Sequence, residues 1–184
     1  IRVSVTDDLG ATAEATTSVN VVSGDVLTDG TVLAEEDFTH DGTTVIVQGR
    51  VTVRGPHEFA HLVVLPDATL TCGPTAGEAI GRLELSIAGD AYVSRSGRID
   101  VAGLGFEGGL QGTNTGPVGR TVPGLTGSSE GSGGSHGGYG GAGYDDGMSG
   151  SPYGSVRAPV LPGAGGSASS SGGAGGAGGG VVRI

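Results

Sequence analysis

The chain has no lysine and no tryptophan, a single cysteine, and few aromatic residues of any kind. Each shortage excludes something. One cysteine, Cys72, rules out an internal disulfide framework. One cysteine and four scattered histidines are a poor basis for a zinc site, which needs converging N or S ligands. No apolar run reaches the roughly 18–20 residues that a membrane-spanning helix requires. The nine basic residues, all arginine, face 19 acidic ones, for a formal net charge of −10. A chain this acidic, without basic clusters, repels a phosphate backbone, so nucleic-acid binding is not expected.

What the chain has in quantity is glycine, unevenly placed. Of 41 glycines, 11 fall in residues 1–102 and the other 30 in 103–180. Charge divides the same way, with a net −9 in residues 1–102 and −1 in 103–184. The first part can build an apolar core. The second has too few large apolar residues for a conventional one. The chain opens at Ile1 on an alternating strand and closes at Ile184 after Val181-Val182-Arg183, so it reads as a segment of a longer polypeptide.

Residues 1–22 read as a β-hairpin. Val3 and Val5 alternate with Ser4 and Thr6, Asp7-Asp8-Leu9-Gly10 is turn chemistry, and Ala11–Val22 resumes a Thr- and Val-rich strand. A lone hairpin is marginal in water. The run IRVSVTDDLGATAEATTSVNVV resembles the last two strands of immunoglobulin-like (PKD and cadherin-like) repeats of large bacterial surface proteins. Residues 23–42, with Gly24, Gly30 and the acidic Glu35-Glu36-Asp37, read as a connector, and the acidic run beside His40-Asp41 as a solvated loop.

Residues 43–102 read as short strands. Val45, Val47, Val51 and Val53 face one way, and Ile46, Gln48, Arg50, Thr52 and Arg54 the other. Further strands follow at 62–65, 68–72, 83–87, 91–93 and 99–101. A sandwich and a β-solenoid both fit many short strands at close spacing. The parallel solenoid is favoured, because each apolar cluster supplies the one to three inward residues a rung needs. Cys72 follows Leu70 in alternation and would be a small buried hydrophobe.

Residues 103–180 carry a period of three. Gly131, Gly134, Gly137, Gly140 and Gly143 form one row, and Gly172, Gly175 and Gly178 another. Three residues per turn is the repeat of a polyproline-II-type helix. A face made only of glycine permits close approach of a neighbouring backbone. Packed side by side, such segments can exchange N–H···O bonds that offset the backbone entropy glycine loses on ordering. Valine at Gly137 or Gly140 should then disrupt the packing, and Ser132→Ala should be mild. The composition resembles the polyglycine helices of the glycine-rich domain of anaplastic lymphoma kinase and of some phage tail-fibre tips.

A further resemblance spans residues 43–184. The ordered motifs RLELSIAGDAYVSRSGRIDVAGLGFEGG, SGGSHGGYGG, YGSVRAPVLPGAGG and GGAGGGVVRI resemble a glycine-rich β-solenoid unit of very large exported bacterial surface proteins. The resemblance implies that the strand at Asp100–Gly103 leads into a glycine-rich excursion that returns through Gly178-Gly179-Gly180 to a strand at 181–184. Phe106 stands where that pattern has tyrosine. The expected fold is all-β: a hairpin from an immunoglobulin-like domain, then a parallel β-solenoid-like short-strand domain with a polyglycine insertion.

Candidate chemistry is sparse. Asp7 and Asp8, and Asp145 with Asp146, offer carboxylate oxygen to calcium, although both pairs also suit plain turns. No other cofactor is implied. Ser135-His136 invites a nucleophile–base reading, but adjacent residues rarely present that geometry. His136 more readily hydrogen-bonds a neighbouring backbone. Gly103–Gly108 matches G-x-G-x-x-G without the helix that a dinucleotide site needs. Tyr139, Tyr144 and Tyr153 are the aromatics available to a ligand. The expected function is that of a non-enzymatic structural segment of an exported bacterial cell-surface fibre or adhesin. Its expected partners are other domains of the same polypeptide or identical subunits in a fibre. The alternatives are a carbohydrate- or ice-binding tip and a β-helix polysaccharide-degrading enzyme.

Overall fold

The computed structural model describes residues 2–6, 10–16, 22–76, 79–144 and 146–184. Among these there are strands and no helix. The first two strands, β1 (Arg2–Thr6) and β2 (Thr12–Thr16), form an antiparallel ribbon in which Val3 lies opposite Ala15 and Val5 opposite Ala13. The turn residues 7–9 lie outside the described residues.

The other strands are parallel throughout and build three sheets. One contains β3 (Asp25–Leu27), β5 (Thr44–Val47), β8 (His61–Val64) and β11 (Ala91–Val93) in that spatial order. The second contains β4 (Val32–Leu33), β6 (Arg50–Val53), β9 (Thr69–Cys72) and β12 (Arg98–Ile99). The third contains β7 (Pro56–Phe59), β10 (Arg82–Ile87) and β13 (Val181–Arg183). After a first turn with strands in the first two sheets only, β3 and β4, the chain visits all three sheets in turn and advances one strand per visit, a solenoid-like course.

The core follows from strand alternation. Every second side chain points inward, and rung-to-rung register stacks like on like. Leu27, Val47 and Val64 form one such column, Leu33, Val53 and Cys72 another, and Val51 and Leu70 a third. All eight are buried. Each fully buried Val or Leu contributes roughly 1.5–3 kcal/mol relative to leaving it exposed.

One expectation changes here. Residues 23–42 are not merely a connector, because β3 and β4 pair in parallel with β5 and β6 and supply the first rung. Strands of three and two residues with one buried side chain each leave almost no periodic signal. The strand at Pro56–Phe59 adds to those the alternation marks. His57 and Phe59 point inward while Pro56 and Glu58 are exposed. The proline is tolerated because it opens an edge strand.

In the acidic run Glu35 and Glu36 are exposed, as a solvated loop requires, but the neighbouring His40-Asp41 is engaged. His40 Nδ1 lies 3.0 Å from Asp25 Oδ2, where the Thr43 hydroxyl also donates at 2.9 Å. Asp41 accepts from the Glu58 N–H and faces Nδ1 of buried His57 at 3.0 Å. The His57 Nε2 faces the Arg54 carbonyl at 3.1 Å, and the ring sits between Phe38 and Phe59. The dipeptide His40-Asp41 thus ties the first rung to the second.

The long glycine-rich stretch is inserted inside one rung, between β12 and β13. Its two ends meet where the Gly180 N–H donates to the Val101 carbonyl at 2.8 Å. On its return, Arg183 bonds Glu84, which also pairs with Arg82. The two ends of the rung stack differ. Leu27 and Leu33 in the first rung are 4% and 2% exposed, whereas Val93 and Val182 in the last are both 39% exposed.

Candidate functional site

The inserted stretch is organised around one central segment, residues 163–169. The N–H groups of Gly163, Gly166 and Ser169 donate to the carbonyls of Gly179, Gly176 and Gly173, each at 2.9 Å. Those of Ala164 and Ser167 donate to Ser135 and Ser132, and those of Gly165 and Ala168 to Arg120 and Pro117. The partner segment therefore repeats at every third residue, and three neighbours surround the central one. A fourth segment donates inward, from Phe106 to the Gly163 carbonyl and from Gly109 to that of Gly166.

Close approach is what glycine provides here. A Cβ built on Gly134, Gly140, Gly143, Gly175 or Gly178 would lie less than 3.0 Å from a neighbouring carbonyl oxygen. The other three glycines of the two rows behave differently. Gly131 and Gly172 have φ of +74° and +87° and serve as turn residues, and Gly137 packs against the Val156 side chain. Uniform glycine faces are thus corrected to five close approaches, two turns and one side-chain contact.

Buried serines complete the polar bonding. Ser128 Oγ donates to the Gly165 carbonyl at 2.8 Å, and the single Ser135 hydroxyl proton is shared between the carbonyls of Ser149 and Gly150 at 2.6 and 2.9 Å. Ser132 Oγ donates to Ser129, and its own carbonyl accepts from Ser167. Ser132 is 2% exposed, so it is a packed residue, and the expectation of a mild Ser132→Ala changes. Outside the central segment, Glu107 takes the Thr113 N–H and hydroxyl and pairs with Arg120 at 2.9 Å. The Thr113 N–H bond leads the effects that hold its carboxyl below the usual value.

The sequence-nominated residues do not converge. Tyr153 donates its hydroxyl to the Pro162 carbonyl at 2.6 Å and meets Phe106 and His136 edge-on. Burial pushes its phenol up to about 12. Tyr153 is therefore a packed junction residue, whereas Tyr139 and Tyr144 are 78% and 74% exposed. His136 Nε2 meets the Leu161 carbonyl at 2.9 Å, and Ser135 is occupied by carbonyls, so the two do not form a nucleophile–base pair. Asp146 is exposed at φ +62°, while Asp7, Asp8 and Asp145 lie outside the described residues. Among the described residues no group of three His, Cys, Asp or Glu side chains is placed to hold a metal ion. Cys72 is buried, which raises its thiol pKa.

No protein-family model, curated protein or solved structure matches this chain.

A concave surface unmarked by sequence reasoning lies on the outer face of the sheet β3-β5-β8-β11. A groove of about 1170 Å³ is lined by Ser23, Ile46, His61, Val63, Asp90 and Tyr92, among others. The outward row Val26, Ile46, Val63, Tyr92 lies in register across all four strands. The signal was present in the sequence as an apolar residue at the outward phase of each strand. It becomes a surface only when the rungs stack.

Proposed function

We propose that this chain is a non-enzymatic structural segment of a large exported bacterial cell-surface fibre or adhesin: a β stalk carrying a rigid glycine-rich projection. The observation that carries the reading is the insertion of residues 102–179 within a single rung, closed at its base by the Gly180–Val101 bond. A projection built this way leaves the rung stack free to transmit load along its axis. The three-residue repeat of hydrogen-bond partners around 163–169 supports a bundle of polyproline-II-type segments, ordered by bonds between segments and not by an apolar core. The apolar last rung, with Val93 and Val182 partly exposed, supports stacking against a further β rung.

The experiment is imaging of the native assembly together with turnover assays. Stalks with lateral projections at regular spacing are the expected result. Depolymerisation of any member of a polysaccharide panel, abolished by substituting one carboxylate, would end the structural reading.

A further inference from the structure

The groove on the outer face of β3-β5-β8-β11 is the surface that the stalk reading leaves without a role. Inward residues of this sheet build the core, but its outward row ends in exposed apolar groups. Val26 is 51% and Tyr92 61% exposed. Tyr92 continues, in register, the row of half-buried Val63 and buried Ile46. The groove over them is as large as a small-ligand site.

Two polar groups beside the row are already set in place. The Asp90 N–H donates to His61 Nδ1 at 2.9 Å. That nitrogen is the acceptor, so in the neutral ring Nε2 carries the hydrogen. Gly89 lets the imidazole lie in this position, since a Cβ there would collide with ring atoms Cε1 and Nδ1. His61 thus offers an oriented Nε2–H donor that no group among the described residues uses, and the Asp90 carboxylate is an acceptor in the same groove.

We propose that this groove binds a neutral carbohydrate chain. A sugar ring has a C–H face and a hydroxyl edge. The face would stack on the exposed Tyr92 ring and the half-buried Val63, while hydroxyls donate to Asp90 and accept from His61 Nε2–H. A hydroxyl is both donor and acceptor, so one chemical group satisfies both neighbours. An apolar partner, such as a second copy seated by the same row, would bury the carboxylate and the imidazole unpaired. Burying either without a hydrogen-bond partner opposes association, the charged carboxylate most of all. An anionic polymer would meet Asp90 and the −10 charge of the chain.

The test is a titration of the intact, isotope-labelled chain with four neutral oligosaccharides: cellohexaose, xylohexaose, mannohexaose and chitohexaose. The expected result is that at least one shifts the amide signals of Val63, Asp90 and Tyr92. Tyr92→Ala should weaken that binding roughly tenfold, and His61→Ala should also weaken it. Both side chains point outward, so both variants should keep the wild-type spectrum elsewhere. The proposal fails if none of the four shifts these amides, or if Tyr92→Ala binds as the wild type does. It also fails if the signals shift with protein concentration alone and sedimentation reports a dimer, because a second copy then occupies the groove.

Discussion

Gly178 and Gly179 are neighbours in sequence and should respond oppositely to alanine. A Cβ on Gly178 would fall less than 3.0 Å from the Gly163 carbonyl oxygen and carbon and the Ala164 carbonyl oxygen, all of them backbone. Backbone cannot rotate aside, so the segment 173–179 must retreat from 163–169. Three hydrogen bonds sit at that level: Gly178 N–H to Phe106, Gly105 N–H to Gly178, and Gly163 N–H to Gly179, at 2.9, 2.7 and 2.9 Å. At a net ~1 kcal/mol each, their loss destabilises by about 3 kcal/mol. In a chain of this size that lowers Tm by roughly 6–12 °C. A Cβ on Gly179 meets nothing within 4 Å. There alanine restricts mainly the unfolded chain and should stabilise by about 0.4–1 kcal/mol. Thermal and urea unfolding measure the difference, and amide exchange at Gly105 and Gly163 localises it. Equal Tm values for the two variants, or unprotected amides at both positions in the wild type, would refute the close-packed bundle.

Three other outcomes follow from particular contacts. Asp41→Ala removes the partner of buried His57 and of the Glu58 N–H, and should cost roughly 2–4 kcal/mol in denaturant unfolding. A loss below about 0.5 kcal/mol, as for an ordinary surface change, would return that loop to a solvated role. Ser132→Ala removes a buried donor to Ser129 and should destabilise by about 1 kcal/mol, with the loss concentrated in amide protection of 129–135. Tyr153 has a folded pKa raised from 10.0 to about 12 by burial, so the native state holds its proton more tightly. Its stabilisation is complete below pH 10 and is lost as pH rises toward 12. Tyr153→Phe should flatten that part of the stability profile, and an unchanged slope would show that Tyr153 ionises without cost to the fold.

The amino-acid sequence by itself determined the all-β class, the inward and outward phases of Val45–Arg54, and the three-residue period of the glycine stretch. These are local properties. Alternation needs only the pleat of one strand, and a period of three needs only a repeated residue type. Tertiary structure decided everything that depends on which segments meet. It made rungs of Asp25–Leu27 and Val32–Leu33, which are too short to show a pattern alone. It divided the glycines into close approaches and turns, because only the neighbour's position tells Gly134 from Gly131. It turned Tyr153 into packing and gathered Ile46, Val63 and Tyr92, up to 46 positions apart, into one outward row. The physical reason is that a parallel stack joins residues whole turns of chain apart, so register and not spacing sets what each face contains.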